Sequence, residues 1–213
     1  MKGLLLKDIF NLRKVIKQYL LILAFFVCYC FFLKTPSFFP MMTIMSFSMI
    51  ILTSMGYDEA AGFDKFALTL PVNREDLVRV KYVMLLLLLL IGFVVGISGN
   101  LIISCFIGGE QEPFAEQFSS ILAVAVMFLL VYATMLPVVF KIGVERARML
   151  LMICSIGIFA VIFFGLQFLA ELNLLDRIEA ARIPMAVGIV GFAAFYVLAS
   201  YFISLKIIRK REW

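Results

Sequence analysis

An all-α integral membrane protein with six transmembrane helices is the fold class that three observations predict for this chain of 213 residues. Hydrophobic residues make up 64% of it and charged residues only 15%, against roughly 45–50% and 25% in soluble domains. The apolar residues fall into six runs of 15 to 26, separated by charged patches, which is the layout of membrane-crossing helices. When alternate loops are assigned to opposite faces, 16 of the 19 basic residues collect on one face, a bias that an odd number of crossings would scramble.

Residues 1–17 open the chain with Leu4, Leu5, Ile9, Phe10 and Leu12 set among Lys2, Lys7, Asp8, Asn11, Arg13 and Lys14. This pattern predicts an N-terminal amphipathic interfacial helix along the headgroups before the chain turns into the membrane, acting either as a topological anchor or as a moving part. The first span is Tyr19 to Leu33. Its basic lead-in resembles a signal peptide, but Phe-Phe-Leu-Lys-Thr-Pro follows in place of a small-residue cleavage site, so the span is expected to be retained. Pro36 and Pro40 predict a turn and a helix restart into the second span, Met41 to Gly56. A span of 16 residues covers only ~24 Å, so both are expected to recruit flanking residues.

The stretch 57–81 follows. Ala60, Phe63, Ala67 and Leu70, with Phe66 beside them, predict a short amphipathic helix, although Gly62 costs it about 1 kcal/mol. Pro71 ends it, and Asn73 offers an N-cap with Glu75 and Asp76 in the first turn of the next helix. That helix enters the third span, Tyr82 to Ile107, which carries Gly92, Gly96 and Gly99. Small residues let helices approach closely, so these glycines face either another span or a second copy of the chain. The fourth span, Phe118 to Phe140, is expected to kink at Pro137. A basic loop leads to the fifth, Met149 to Leu169, and the sixth is Ile183 to Leu205. The whole chain, 1–213, reads as a single transmembrane domain, its outer loops 108–117 and 170–182 being too short for domains of their own.

The face with both termini carries a net +8 and the other −3, within the stated total of +5. By the positive-inside rule the +8 face is cytoplasmic. The basic residues form no continuous stripe, so they read as topology and no nucleic-acid partner is expected. Histidine is absent and the four cysteines lack ligand spacing, which argues against a metal site and against Ser-His or Cys-His hydrolysis. No acidic or basic residue lies inside a span, which weakens a proton- or ion-coupled carrier. The chain also lacks a phosphate-binding Gly-x-x-x-x-Gly-Lys-Ser/Thr loop, so it is expected to be no enzyme and any ATP motor to be another polypeptide.

The stretch with Phe63-Asp64-Lys65-Phe66, then Leu70-Pro71-Val72-Asn73-Arg74 and Val80-Lys81-Tyr82, resembles the first cytoplasmic loop of permease subunits from type-2 ATP-binding cassette (ABC) exporters. It looks most similar to the family's small six-span branch, in particular to phenol-soluble modulin and antimicrobial peptide exporters. The basic second loop from Lys141 to Arg148 and the tail Lys206 to Trp213 agree with it, while Phe63 and Phe66 stand where the family often has tryptophan. The resemblance implies a cytoplasmic coupling helix between spans two and three. Its coupling residues are Glu59, Phe63, Asp64, Lys65, Phe66, Leu70, Pro71 and Arg74, with Glu59, Asp64, Lys65 and Phe66 contacting the ATPase and Leu70, Pro71 and Arg74 fixing the turn. It also implies a cytoplasmic ATPase partner that holds ATP and Mg, no cofactor in this chain, and a second permease copy, identical or closely homologous. The expected location is the plasma membrane, amid lipid, and the expected cargo an amphipathic or hydrophobic peptide. An ATP-independent channel or secondary carrier and a non-transporting adaptor or immunity protein are the alternative readings.

Overall fold

A computed structural model describes residues 2–63, 66, 73–107, 113–150 and 182–210. Within them the helices are α1 (Lys2–Leu33), α2 (Phe38–Ala60), α3 (Arg74–Ile107), α4 (Phe114–Ile142), α5 (described over 144–150) and α6 (Arg182–Lys210), and Phe63 and Phe66 between α2 and α3 are helical too. Five stretches are long and apolar enough to cross a membrane: Val15–Leu33, Phe38–Ala60, Glu75–Ile107, Phe114–Ile142 and Val190–Lys210. The chain is a multi-pass, all-helical membrane protein over these residues. The expected fifth span, Met149 to Leu169, lies beyond them apart from its first two positions, as does the loop that follows it.

Helix boundaries depart from the hydropathy reading at two places. The interfacial helix and the first span form one unbroken helix of 32 residues, α1, because no proline falls between Lys2 and Leu33 and the only glycine is in the first turn. Its end is a Schellman turn: Lys34 adopts φ 54° and Thr35 N–H donates to Cys30 C=O at 3.3 Å, a geometry glycine usually supplies. The second departure is at Gly62. Rather than lying inside a helix that starts near Ala60, it sits at φ 61° just past α2, which runs on from the membrane through Asp58 and Glu59 to Ala60. Glycine in the left-handed region stops a helix without a Cβ penalty.

α2 and α3 pack closely through the glycine stripe. A Cβ on Gly92 would lie 3.0 Å from Phe47 Cβ, and one on Gly96 would lie 3.1 Å from Pro40 Cα, while one on Gly99 would overlap the Phe39 ring. All three neighbours are on α2. Hydroxyls on α2 turn back onto their own helix, with Thr43 donating to Phe39 C=O at 2.8 Å and Ser48 to Ile44 C=O at 2.7 Å, so the apolar surroundings leave neither unsatisfied. The main core joins Ile44, Ile51, Leu85, Leu136 and Ala147, each at most 1% exposed.

α6 is fastened to α3 and α4 by hydroxyls. Ser200 donates to Ala133 C=O at 2.5 Å, which uses its single proton, so Tyr82 donates to Ser200 at 2.6 Å. Ser204 in turn donates to the Tyr82 oxygen at 2.9 Å. This one-directional chain satisfies every hydroxyl in it. Outward, Phe192, Phe195 and Phe202 on α6 and Leu21, Phe25 and Phe32 on α1 are exposed, a surface suited to acyl chains.

Candidate functional site

Charge gathers at one end of the bundle, where α1, α3 and α5 begin and where α2, α4 and α6 finish. Leu4 and Ile208 line a cavity there together, so both ends of the described chain lie at this end, called the basic end below.

Lys81 is the centre. It stands two turns into α3, 8% exposed, and its ammonium donates to Asp8 Oδ2 at 2.8 Å, Asp58 Oδ2 at 2.7 Å and Ser54 Oγ at 3.3 Å. All three of its protons therefore have acceptors. Lys7, one residue before Asp8 on α1, donates to Asp58 Oδ1 at 2.5 Å and lies 3.4 Å from Asp8 Oδ1. Two lysines and two aspartates thus tie α1, α2 and α3 together where most of their surroundings are apolar. Beside them is a cavity of ≈ 60 Å³, room for a few waters and not for a peptide. Among the described residues no group of carboxylates or cysteines is arranged to hold a metal ion; the carboxylates are compensated by lysine instead.

The residues singled out from the sequence lie around this knot. Glu59, in the last turn of α2, accepts the Val144 N–H with Oε2 at 2.6 Å. Val144 opens α5, so Glu59 caps that helix from a distant segment. The cap depends on Gly143, which ends α4 at φ 88° and whose added Cβ would lie 2.5 Å from Glu59 Oε1. The expected loop between spans four and five is therefore a single-glycine joint. Phe63 places its ring 3.4 Å from Lys7 Nζ, a cation–π contact, and lies 6.3 Å from the ring of Phe66. Phe66 is 59% exposed. Arg74 is the first residue of α3. Asp64, Lys65, Leu70 and Pro71 lie outside the described residues. Gly92, Gly96 and Gly99 face α2, far along α3 from this cluster.

Sequence reasoning missed Lys7, Asp8, Asp58, Lys81 and Gly143 as parts of one site. Asp58 and Lys81 fall just outside the spans drawn by hydropathy, at Gly56 and Tyr82, and so look like solvated loop charges. Their signal is position: a lone charge within one turn of a long apolar helix is costly unless it is paired. A second set of charges stays at the surface, where Arg209 on α6 bonds Glu75 and Arg79 donates to Tyr201 at 3.0 Å.

A family model described as ABC-2 family transporter protein matches residues 3–209. No curated protein matches the chain, and no solved structure matches it.

Proposed function

The chain belongs to the ABC-2 transporter family and is a membrane permease component whose ATPase is a separate subunit; from this premise we propose that it exports amphipathic or hydrophobic peptides, with segment 57–81 as the coupling element. The basic end is cytoplasmic in this reading and carries both termini. A second permease copy, identical or closely homologous, and two ATPase subunits complete the assembly, with ATP and Mg held by the ATPase. Cargo enters from the cytoplasm or the inner leaflet of the plasma membrane.

One observation carries the reading: the end of α2 that leads into this segment is bonded to three other parts of the bundle. Asp58 holds α1 and α3 through Lys7 and Lys81, and Glu59 holds the α4–α5 joint through Val144. A push delivered at Phe63 and Phe66 therefore reaches all of them as a rigid-body displacement. Exposed Phe66 beside Phe63 suits an apolar anchor for a docking partner.

Co-expression with the ATPase, purification through a tag on this chain, and an assay of ATP hydrolysis with and without amphipathic peptides test the proposal. A stable complex with peptide-stimulated hydrolysis is the expected result. Peptide flux from vesicles without ATP would favour a channel or carrier instead, and failure to retain the ATPase would leave an adaptor.

A further inference from the structure

The four ionised side chains of the knot do not pair one to one. Asp58 accepts with both oxygens, from Lys7 at 2.5 Å and from Lys81 at 2.7 Å. Asp8 is 1% exposed and receives Lys81 on Oδ2 at 2.8 Å, yet its Oδ1 has no hydrogen bond among the described residues. The nearest ammonium, Lys7, stands 3.4 Å from that oxygen. A static brace accounts poorly for this arrangement. Buried ion clusters are commonly no more stable than apolar packing of the same shape, and a leftover buried carboxylate oxygen weakens a brace further.

We propose that Asp8 and Asp58 are alternative acceptors for Lys7, so that α2 is released from α1 when Lys7 passes from Asp58 Oδ1 to Asp8 Oδ1. Lys81 stays on Asp8 Oδ2, Asp58 Oδ2 and Ser54 throughout. The exchange leaves no charge of the four unpaired, because Asp58 keeps Lys81 on Oδ2 while its Oδ1 turns to the cavity beside it. Lys7 is the ammonium that moves, because its side chain is 27% exposed, whereas Lys81 is 10% exposed and is also held by Ser54. The gap to close is small, from 3.4 Å to an ordinary charge-assisted length of about 2.8 Å. Small shifts of this kind move whole helices when the element has two discrete arrangements. These four residues are positioning residues for ATP-coupled transport. The functional half of the inference rests on the reading that segment 57–81 receives the ATPase's push; the exchange itself rests on the geometry.

Melting of the detergent-solubilised full chain, without any partner, tests the exchange. With alternative acceptors, Asp8→Asn and Asp58→Asn each lower the melting temperature modestly, and the double variant loses more than the two losses added. A static brace gives the reverse, since the first substitution breaks it and the second removes little. Additive or less-than-additive losses would overturn the proposal. In complex with the ATPase, the two substitutions act in opposite directions. Asp58→Asn frees α2 from α1 and raises hydrolysis in the absence of peptide by about fivefold, and Asp8→Asn traps Lys7 on Asp58 and lowers peptide-stimulated hydrolysis by a similar factor. Movement in the same direction would also overturn it. Should either aspartate variant fail to accumulate, Lys7→Gln decides: it removes the moving charge at a partly exposed site, and retention of full peptide stimulation would refute the exchange. If no ATPase co-purifies, the proposed function fails while the melting comparison still settles the exchange.

Discussion

Glu59 and Val144 are separated by 85 positions, yet Glu59 Oε2 accepts the Val144 N–H at 2.6 Å across the glycine joint between α4 and α5. Gly143→Ala would force a left-handed φ on a residue with a Cβ and press that carbon onto Glu59 Oε1. The expected loss is about 1–3 kcal/mol from the backbone alone, plus the clash. Glu59→Ala should cost about 0.5–2 kcal/mol as a lost cap and Glu59→Gln less, because the amide oxygen still accepts. Combining Gly143→Ala with Glu59→Ala should lose less than the separate losses added, since the clash disappears with its partner; thermal unfolding in detergent reads all four variants.

Lys81→Met leaves two buried carboxylates to share Lys7. Breaking such a buried set by removing one partner costs about 3–5 kcal/mol, so this variant should melt far below the parent or fail to accumulate. Arg209→Ala, which breaks the exposed contact with Glu75, should leave melting nearly unchanged, because water and salt screen that pair. Equal losses from the two would contradict the contrast in burial.

The α2–α3 contact should resist even one added methyl group. Gly96→Ala sets a Cβ 3.1 Å from Pro40 Cα, which is backbone and cannot rotate away, so a loss of about 1–3 kcal/mol is expected from overpacking. Gly188→Ala on α6 meets nothing within 4 Å and should stabilise by about 0.5–1 kcal/mol through helix propensity. Paired melting curves give the sign of each.

For the proposed coupling role, Phe66→Ala should lower peptide-stimulated hydrolysis by about tenfold or more, the scale of an aromatic anchor worth ~2 kcal/mol. Membrane insertion and the melting temperature of the chain alone should hardly move, because Phe66 is largely exposed. A matching fall in melting temperature would assign Phe66 to the fold.

Hydropathy made the membrane class legible, and α3 starts at Arg74, just after Asn73, where the sequence places a helix start. The glycine stripe on α3 is visible in the sequence, but its partner is not: that Pro40 and Phe47 stand opposite is a property of how two helices meet. The charged knot was least legible. Lys81 finds Asp8 at a separation of 73 residues and Asp58 at 23, and a span boundary drawn where apolar residues stop assigns all three to water. Gly143 reads only as a glycine in a basic loop until Glu59 is known to occupy the space beside it. The continuity of α1 was obscured for a different reason, since its composition changes from amphipathic to apolar while its backbone does not change at all.

The order in which the chain is made gives the knot a schedule. Asp8 and Lys7 leave the ribosome first, Asp58 follows with the end of α2, and Lys81 arrives only with the third helix, 73 residues after Asp8. Until then Asp8 has, among the described residues, its neighbour Lys7 to compensate it, and burying a carboxylate without full pairing is costly. Among the described residues the membrane part of α1 is sparsely covered, with 11% of its residues buried. Asp8 therefore gains its Oδ2 partner only with the third helix, whereas Lys7 and Asp58 already join α1 to α2.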